Sequence, residues 1–191
     1  MNKQAEWWEG SFGTDYVQRN RVQWRGRLPF WQHILDQTGV VSAALEYGCG
    51  SGWNLLALRE LGVSRVRGIE VNETAALEAR AEGLAVINAA VLDCLQMRRA
   101  ADLTFTAGFL IHVAPDDLFA TMAAIVQASR KWVLAVEYDA AKEEMVPYRG
   151  ATERLWRRPY GTLYQMLGLT LVERGEAQGW ENTQFWLMRK G

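Results

Sequence analysis

The sequence predicts a single α/β domain. Its mostly parallel seven-stranded sheet is wrapped by helices on both faces and finished by an antiparallel hairpin. Three observations predict it. Short apolar runs alternate with segments of helical spacing between residues 28 and 136, the pattern of a parallel sheet built from strand–helix–strand units. The last two apolar runs, at residues 169–174 and 183–188, have only a polar loop between them, which allows an antiparallel pair and excludes a parallel crossover. A glycine-rich turn joins the first predicted strand to the next helix, as expected where backbone must approach a ligand.

The elements follow in order. Residues 28–37 carry Phe30, Ile34 and Leu35 at helical spacing, and Gly39 ends the helix. Residues 43–47 form a short apolar strand, and residues 53–61 a helix closed by Gly62. A second strand covers residues 66–70. Asn72 then caps a helix that runs to Glu82, with Gly83 past its end. Strands follow at residues 84–88 and, with alternating Leu103, Phe105 and Ala107, at residues 102–107. Pro115 opens a helix with Leu118, Met122 and Ile125 on one face, and residues 132–136 make the fifth strand. The expected division of residues 1–191 is one domain, with an N-terminal lid and helix over 1–40 and the α/β core over 41–191.

Composition narrows the function classes. Lys plus Arg total 21 and Asp plus Glu 22, so the formal charge is −1 and no broad field attracts nucleic acid or anionic lipid. Arg19, Arg21, Arg25 and Arg27 cluster, and the ordinary reading is a solvated basic helix face. Two cysteines, Cys49 and Cys94, make neither a disulfide scaffold nor a ligand set, which suits a reducing cytoplasm. No stretch approaches the ~20 apolar residues of a membrane helix, and the polar, Trp-rich start does not resemble a signal peptide. The expected partner is therefore a small molecule, not nucleic acid or membrane.

Three carboxylates stand at successive strand ends. Glu46 precedes the turn Gly48-Cys49-Gly50-Ser51-Gly52, whose G-x-G-x-G spacing differs from the dinucleotide G-x-G-x-x-G. A carboxylate there suits a cationic amine and repels a pyrophosphate; a structural turn or a dinucleotide site are the alternatives. Glu70, ending the second strand before Val71 and Asn72, can accept two ribose hydroxyls. Otherwise it is a charge at a helix N-terminus. Asp93, beside Cys94, can accept an adenine amino group; alone it is an ordinary loop acid. Their order places all three along one edge of the sheet, where open α/β folds bind ligands.

With those residues in view, the chain resembles the class I methyltransferases over residues 43–190. It looks closer still to the pseudaminic-acid-biosynthesis-associated methylases. The matching stretches are Trp8-Glu9-Gly10-Ser11-Phe12-Gly13-Thr14-Asp15-Tyr16 with Arg19-Asn20, Gly108-Phe109-Leu110-Ile111-His112 with Pro115-Asp116-Asp117-Leu118, and Glu137-Tyr138 with Pro147-Tyr148-Arg149-Gly150. One departure is Pro159, which stands after Arg157-Arg158 where an acid is expected. The resemblance implies a Rossmann-like enzyme that uses S-adenosylmethionine and releases S-adenosylhomocysteine. It further implies a role in nonulosonic-acid sugar chemistry and flagellin or surface-glycan modification. The cofactor contacts expected are Tyr16, Arg19, Glu46, Gly48, Cys49, Gly50, Gly52, Glu70, Val71, Asp93, Cys94 and Phe109.

His112, after the fourth strand, is the candidate base, because an ordinary imidazole titrates near working pH. A hydrogen-bonded structural histidine is the alternative, as it is for His33. Tyr16 and Arg19 lie one helical turn apart, so this segment can fold over the cofactor as a lid, with Arg19 on its carboxylate; an exposed basic turn is the plainer reading. Tyr138, Tyr148 and Arg149 are the candidate substrate contacts, with Arg149 anchoring an acceptor carboxylate unless this is a surface loop with no ligand. No metal site is expected. The rivals are an NAD-dependent dehydrogenase, a nucleic-acid or protein-amide methylase, and a non-catalytic cofactor-binding module. The loop from Ala107 to His112 lacks the Asn/Asp-Pro-Pro-aromatic pattern of the amide and base methylases.

Overall fold

In the computed structural model the described residues are 3–21 and 23–191. Met1, Asn2 and Val22 fall outside them, and with them that part of the expectation for the N-terminal lid. The chain begins with α1 (Lys3–Glu9) and α2 (Ser11–Arg19), then a 3-10 turn (Trp24–Arg27) leading into α3 (Leu28–Thr38). The alternating core follows: β1 (Ala43–Tyr47), α4 (Trp53–Glu60), β2 (Arg65–Glu70), α5 (Glu73–Ala81), β3 (Ala85–Asn88), β4 (Ala101–Ala107), α6 (Pro115–Ala128) and β5 (Ser129–Glu137). An insertion holds the two-residue strands β6 (Glu144–Met145) and β7 (Trp156–Arg157). The chain closes with α7 (Tyr160–Met166), β8 (Thr170–Glu176) and β9 (Gln184–Arg189).

The seven long strands form one sheet in the order β3-β2-β1-β4-β5-β9-β8. Pairs from β3 to β5 are parallel, and β9 is antiparallel to both β5 and β8. The order reverses between β1 and β4, which opens a crevice outside the carboxyl ends of the strands.

Burial on both faces explains the near-continuous apolar runs of the central strands. On β9, Phe185 and Leu187 join the core cluster of Trp31, Ile34 and Leu55, while Trp186 and Met188 join that of Ile125, Tyr160 and Tyr164. The period-two alternation of a strand thus splits one sequence between two cores. Local signals set the helix ends: the Asn72 side chain accepts the Ala75 N–H at 3.0 Å, and Gly39 at φ 69° ends α3.

Helix α7 and the β6–β7 pair were not expected from sequence. Each is too short for its period to stand out. No helix among the described residues is long and apolar enough to cross a membrane.

Among the described residues, neither core cluster includes one before Trp24. Removing residues 1–20 is therefore expected to leave a cooperatively melting α/β sheet while uncovering the crevice. A truncated chain that no longer unfolds in one transition, followed by circular dichroism, would show instead that α1 and α2 belong to the core.

Candidate active site

The crevice at the carboxyl edge is a cavity of about 320 Å³, the size of a small-molecule site. Its floor is the turn after β1. Gly48 takes φ 69°, and a Cβ there would stand 2.3 Å from the Phe109 ring, so only glycine lets these two walls meet. Gly50, at φ 53°, has open space where its Cβ would be, which leaves its backbone free to touch a ligand. Gly52 lies off the cavity wall, at the start of α4 against Leu84.

Glu70 holds this turn in place. Its Oε2 accepts the Gly50 N–H at 2.7 Å and its Oε1 the Asn72 N–H at 2.8 Å. Burial pushes its carboxyl up, against the pull of these N–H groups. Glu46, 1% exposed, is less well matched. Its Oε1 accepts Asn54 Nδ2 at 2.6 Å, while its buried Oε2 has no partner. Burial raises its carboxyl to about 8.

Arg27 completes this corner. Its Nη1 donates to Asn54 Oδ1 at 3.0 Å and its guanidinium lies 4.0 Å from the centre of the Trp180 ring. Burial lowers it to about 10, so it stays charged at neutral pH. The expected solvated Arg face is thereby corrected for Arg27, which turns into the cavity wall.

The opposite wall is the turn after β4, Phe109 to Val113. The Glu137 carboxylate, at the end of β5, accepts the N–H groups of Phe109 (3.2 Å), Leu110 (3.0 Å) and Ile111 (3.3 Å). Burial still raises it to about 7. The fully buried Arg158 donates to the carbonyls of Leu110 and Val113, both at 2.9 Å. The turn is thus clamped at its N–H end by an acid and at its carbonyl end by a guanidinium, matching the backbone dipole.

His112 sits on this clamped turn. Its Nδ1–H donates to the Arg154 carbonyl at 2.6 Å, which leaves Nε2 as the unprotonated nitrogen, with no hydrogen bond to it among the described residues. Burial lowers its pKa to about 4, well below the value that suggested a base near neutral pH.

Helices α1 and α2 roof the cavity, and Asn72 latches them. Its Nδ2 donates to the Trp8 carbonyl at 3.0 Å and to Thr14 Oγ1 at 3.3 Å. Trp8 stacks edgewise on Tyr16, ring centres 5.2 Å apart, and on His112, 4.6 Å apart. Tyr148 approaches His112 at 5.1 Å, ring to ring.

Of the residues singled out from sequence, Tyr16, Glu46, Gly48, Cys49, Gly50, Glu70, Val71, Phe109, His112, Tyr138 and Tyr148 line one cavity. Five others do not. Gly52 is described above. Arg19 is exposed and pairs with Asp15 at 3.8 Å. Asp93 and Cys94 lie on a 3-10 turn (Val91–Cys94) that turns Val91 and Leu92 to the cavity, leaves Asp93 exposed and buries Cys94 in the core. Arg149 occupies, with Gly150, the tip of a two-residue hairpin whose flanking residues Tyr148 and Ala151 exchange N–H···O bonds of 2.9 Å. Both tip residues have positive φ, 48° and 81°, and the tip projects outward. Sequence reasoning did not find Gln4, Trp8, Arg27, Asn54 and Glu137 as site residues. A conspicuous signal was the density of tryptophans in the first 31 residues.

Residues 45–132 match a protein family described as a methyltransferase domain. No curated protein matches. Solved structures of similar fold include a magnesium protoporphyrin IX methyltransferase from Synechocystis with bound S-adenosylmethionine, at TM-score 0.73 and 11% identity, covering 100% of this chain and 99% of that one. A 1,6-didemethyltoxoflavin-N1-methyltransferase from Burkholderia thailandensis, with its acceptor and S-adenosylhomocysteine bound, matches at TM-score 0.74 and 16% identity over 98% and 86%. An S-adenosylmethionine-dependent methyltransferase from Mesorhizobium loti matches at 0.65 and 18% over 87% and 100%. The fold is the Rossmann-like class I methyltransferase fold, with the antiparallel strands β9 and β8 at its C-terminal end.

The clamp on the 109–113 turn has a measurable cost of removal. Glu137→Gln sets an amide NH₂ against backbone donors and is expected to lower stability by about 2–3 kcal/mol in urea denaturation. A loss under about 0.5 kcal/mol would mean that the three N–H bonds do little for the fold.

Proposed function

We propose that this chain, an S-adenosylmethionine-dependent methyltransferase by its matched domain and its fold, methylates a small polar acceptor inside the roofed cavity. One observation carries the cofactor placement. The buried Glu46 Oε2 lacks a partner, and Arg27 is tied to the same Asn54. A carboxylate and a guanidinium side by side fit the α-ammonium and α-carboxylate of the cofactor's methionine part. Arg27 then takes the part expected of Arg19. Glu70 keeps lone pairs for ribose hydroxyls, and Val71, Val91 and Leu92 give the adenine apolar walls in place of Asp93 and Cys94.

S-adenosylmethionine, when bound, supplies an electrophilic methyl group. The protein supplies position and exclusion of water. Phe109 and Tyr16 wall the reacting region, and His112 Nε2 accepts a hydrogen bond from the acceptor's O–H or N–H. At its lowered pKa it orients the nucleophile, and the proton released passes on to solvent.

The resemblance makes the acceptor a sugar or nonulosonic-acid-type metabolite of flagellin or surface-glycan modification. The aromatic walls Trp8, Tyr138 and Tyr148 support it, since they suit the C–H faces of a sugar ring. A second reading, a different small molecule, is favoured by Arg149, whose place on an exposed turn removes the expected carboxylate anchor.

S-adenosylhomocysteine at a hundred times its Kd is expected to stabilise the chain by about 2.7 kcal/mol, and NAD not at all. Equal shifts, or none with S-adenosylhomocysteine, would refute the cofactor reading. A non-catalytic module would bind and never turn over.

Cofactor binding is also expected to release a proton. Glu46, raised to about 8, is largely protonated in the free protein at pH 7, and the ammonium group favours its ionised form. Affinity should therefore rise with pH up to about 8. Calorimetry at pH 7 in phosphate and in Tris should give different enthalpies, and Glu46→Gln should abolish the difference. Equal enthalpies in the wild type would place the ammonium elsewhere.

A further inference from the structure

The formal charge of −1 is not evenly spread over the fold. The cavity lies where the parallel strands end. The opposite, amino edge, where they begin, is basic. Segments 65–67 at the start of β2, 98–102 leading into β4, 129–131 at the start of β5 and 189–190 at the end of the antiparallel β9 meet there. Their one acid is Asp102. It is fully engaged: Oδ1 pairs with Arg130 at 3.1 Å, and Oδ2 accepts the N–H groups of Ser42 and Ala43. Lys190 Nζ turns back to the carbonyls of Val126 and Ser129. That leaves Arg65, Arg67, Arg98, Arg99, Lys131 and Arg189, each exposed and outside the ion pairs of the described residues.

The segments form one band. Arg67 Nη2 donates to the Ala100 carbonyl at 3.4 Å, the Arg99 N–H bonds the Gln127 carbonyl near the end of α6, and the Lys190 N–H bonds the Lys131 carbonyl at 2.8 Å. From β2 across β1, β4 and β5 to β9 is four strand spacings, about 19 Å. Val40 and Met166, at 94% and 75% the most exposed large apolar side chains among the described residues, stand at this same edge. Val40 lies mid-band, two residues before Ser42, whose carbonyl accepts the Arg65 N–H and whose own N–H goes to Asp102. Met166 ends α7, four residues before Thr170, which pairs with Arg189.

A single exposed apolar residue is ordinary. Two beside an unpaired basic band make a surface that suits both anionic headgroups and the hydrocarbon boundary beneath them. Nucleic acid would answer the charges and leave both apolar tips without a partner, and these segments hold no aromatic ring on which a base could stack. We infer that the amino edge is a docking surface for an anionic bilayer, with the cavity on the far side of the sheet. The five residues of β1 hold the cavity about 17 Å above the headgroups, beyond the ~8 Å screening length of physiological salt. Docking therefore leaves cofactor affinity unchanged.

The test sediments the full chain with vesicles of phosphatidylcholine, pure or mixed with phosphatidylglycerol. Only the mixed vesicles should carry the protein down. Raising salt from about 0.1 M to about 1 M cuts the screening length from about 10 Å to about 3 Å and should release it. Arg65→Gln, Lys131→Gln and Arg189→Gln combined should weaken binding about a hundredfold, about fivefold per charge. Val40→Ser should weaken it about fourfold, the scale of one buried CH₂. Melting and S-adenosylhomocysteine affinity should stay as in the wild type. No sedimentation with mixed vesicles, equal sedimentation with pure phosphatidylcholine, or a triple variant that binds like the wild type would each overturn the inference. So would a single-stranded oligonucleotide bound more tightly than the mixed vesicles in the same salt, which would assign the edge to nucleic acid. Should the triple variant melt below the wild type, the lipid and salt dependence of the wild type decides alone.

Discussion

Three carboxylates are buried at the carboxyl edge of the sheet: Glu46 on β1, Glu70 on β2 and Glu137 on β5. Each would cost several kcal/mol if left isolated away from water. The fold answers by aiming backbone N–H groups at two of them. Those same backbone segments, the glycine turn and the 109–113 turn, are the floor and wall of the cavity. Satisfying the acids and shaping the site are therefore one constraint. Of the three, Glu46 alone keeps an unanswered oxygen, and the proposed ammonium contact rests on that atom.

The roof follows from the same edge. Asn72 receives no charge, yet it joins three things: it caps α5, its N–H bonds Glu70, and its amide holds α1 and α2. The Glu70 corner and the roof are thus mechanically connected. On the far side Arg158 and Glu137 stiffen the turn that presents His112. The acid expected next to Arg158, where Pro159 stands, is supplied from across the insertion: Glu143 Oε2 accepts Arg158 Nε at 2.7 Å. Pro159 instead caps α7, so the departure in sequence leaves the ion pair intact.

The roof also changes the chemistry beneath it. With Trp8 and Tyr148 over its ring, His112 is too poorly solvated to be protonated near neutral pH. Its contribution becomes the direction of one lone pair. Among the described residues of the cavity wall, Arg27 is the one Arg or Lys, and it is hydrogen-bonded to Asn54.

Much of the fold was legible because it repeats. Period-two and helical spacings set strands and helices within a few residues, the polar loop before β9 announced the antiparallel pair, and the spacing of Glu46 and Glu70 around the glycines set them on one edge. Periodicity does not say which way a turn residue faces. Arg19 and Arg27 look alike in the sequence, and only the packing of α3 and Trp180 brings Arg27 inward. Asp93 and Arg149 each sit one residue from the wall, next to Leu92 and Tyr148, and point away from it, because a 3-10 turn and a two-residue hairpin rotate them outward. By itself the sequence determined the order of the alternating core strands and helices, the glycine turn and the acids Glu46 and Glu70 at the ends of β1 and β2. Tertiary structure alone decided which cation, which aromatic faces and which unsatisfied atoms meet in the cavity, since those contacts join segments as distant as Gln4 and Glu153, whose proximity no local pattern encodes.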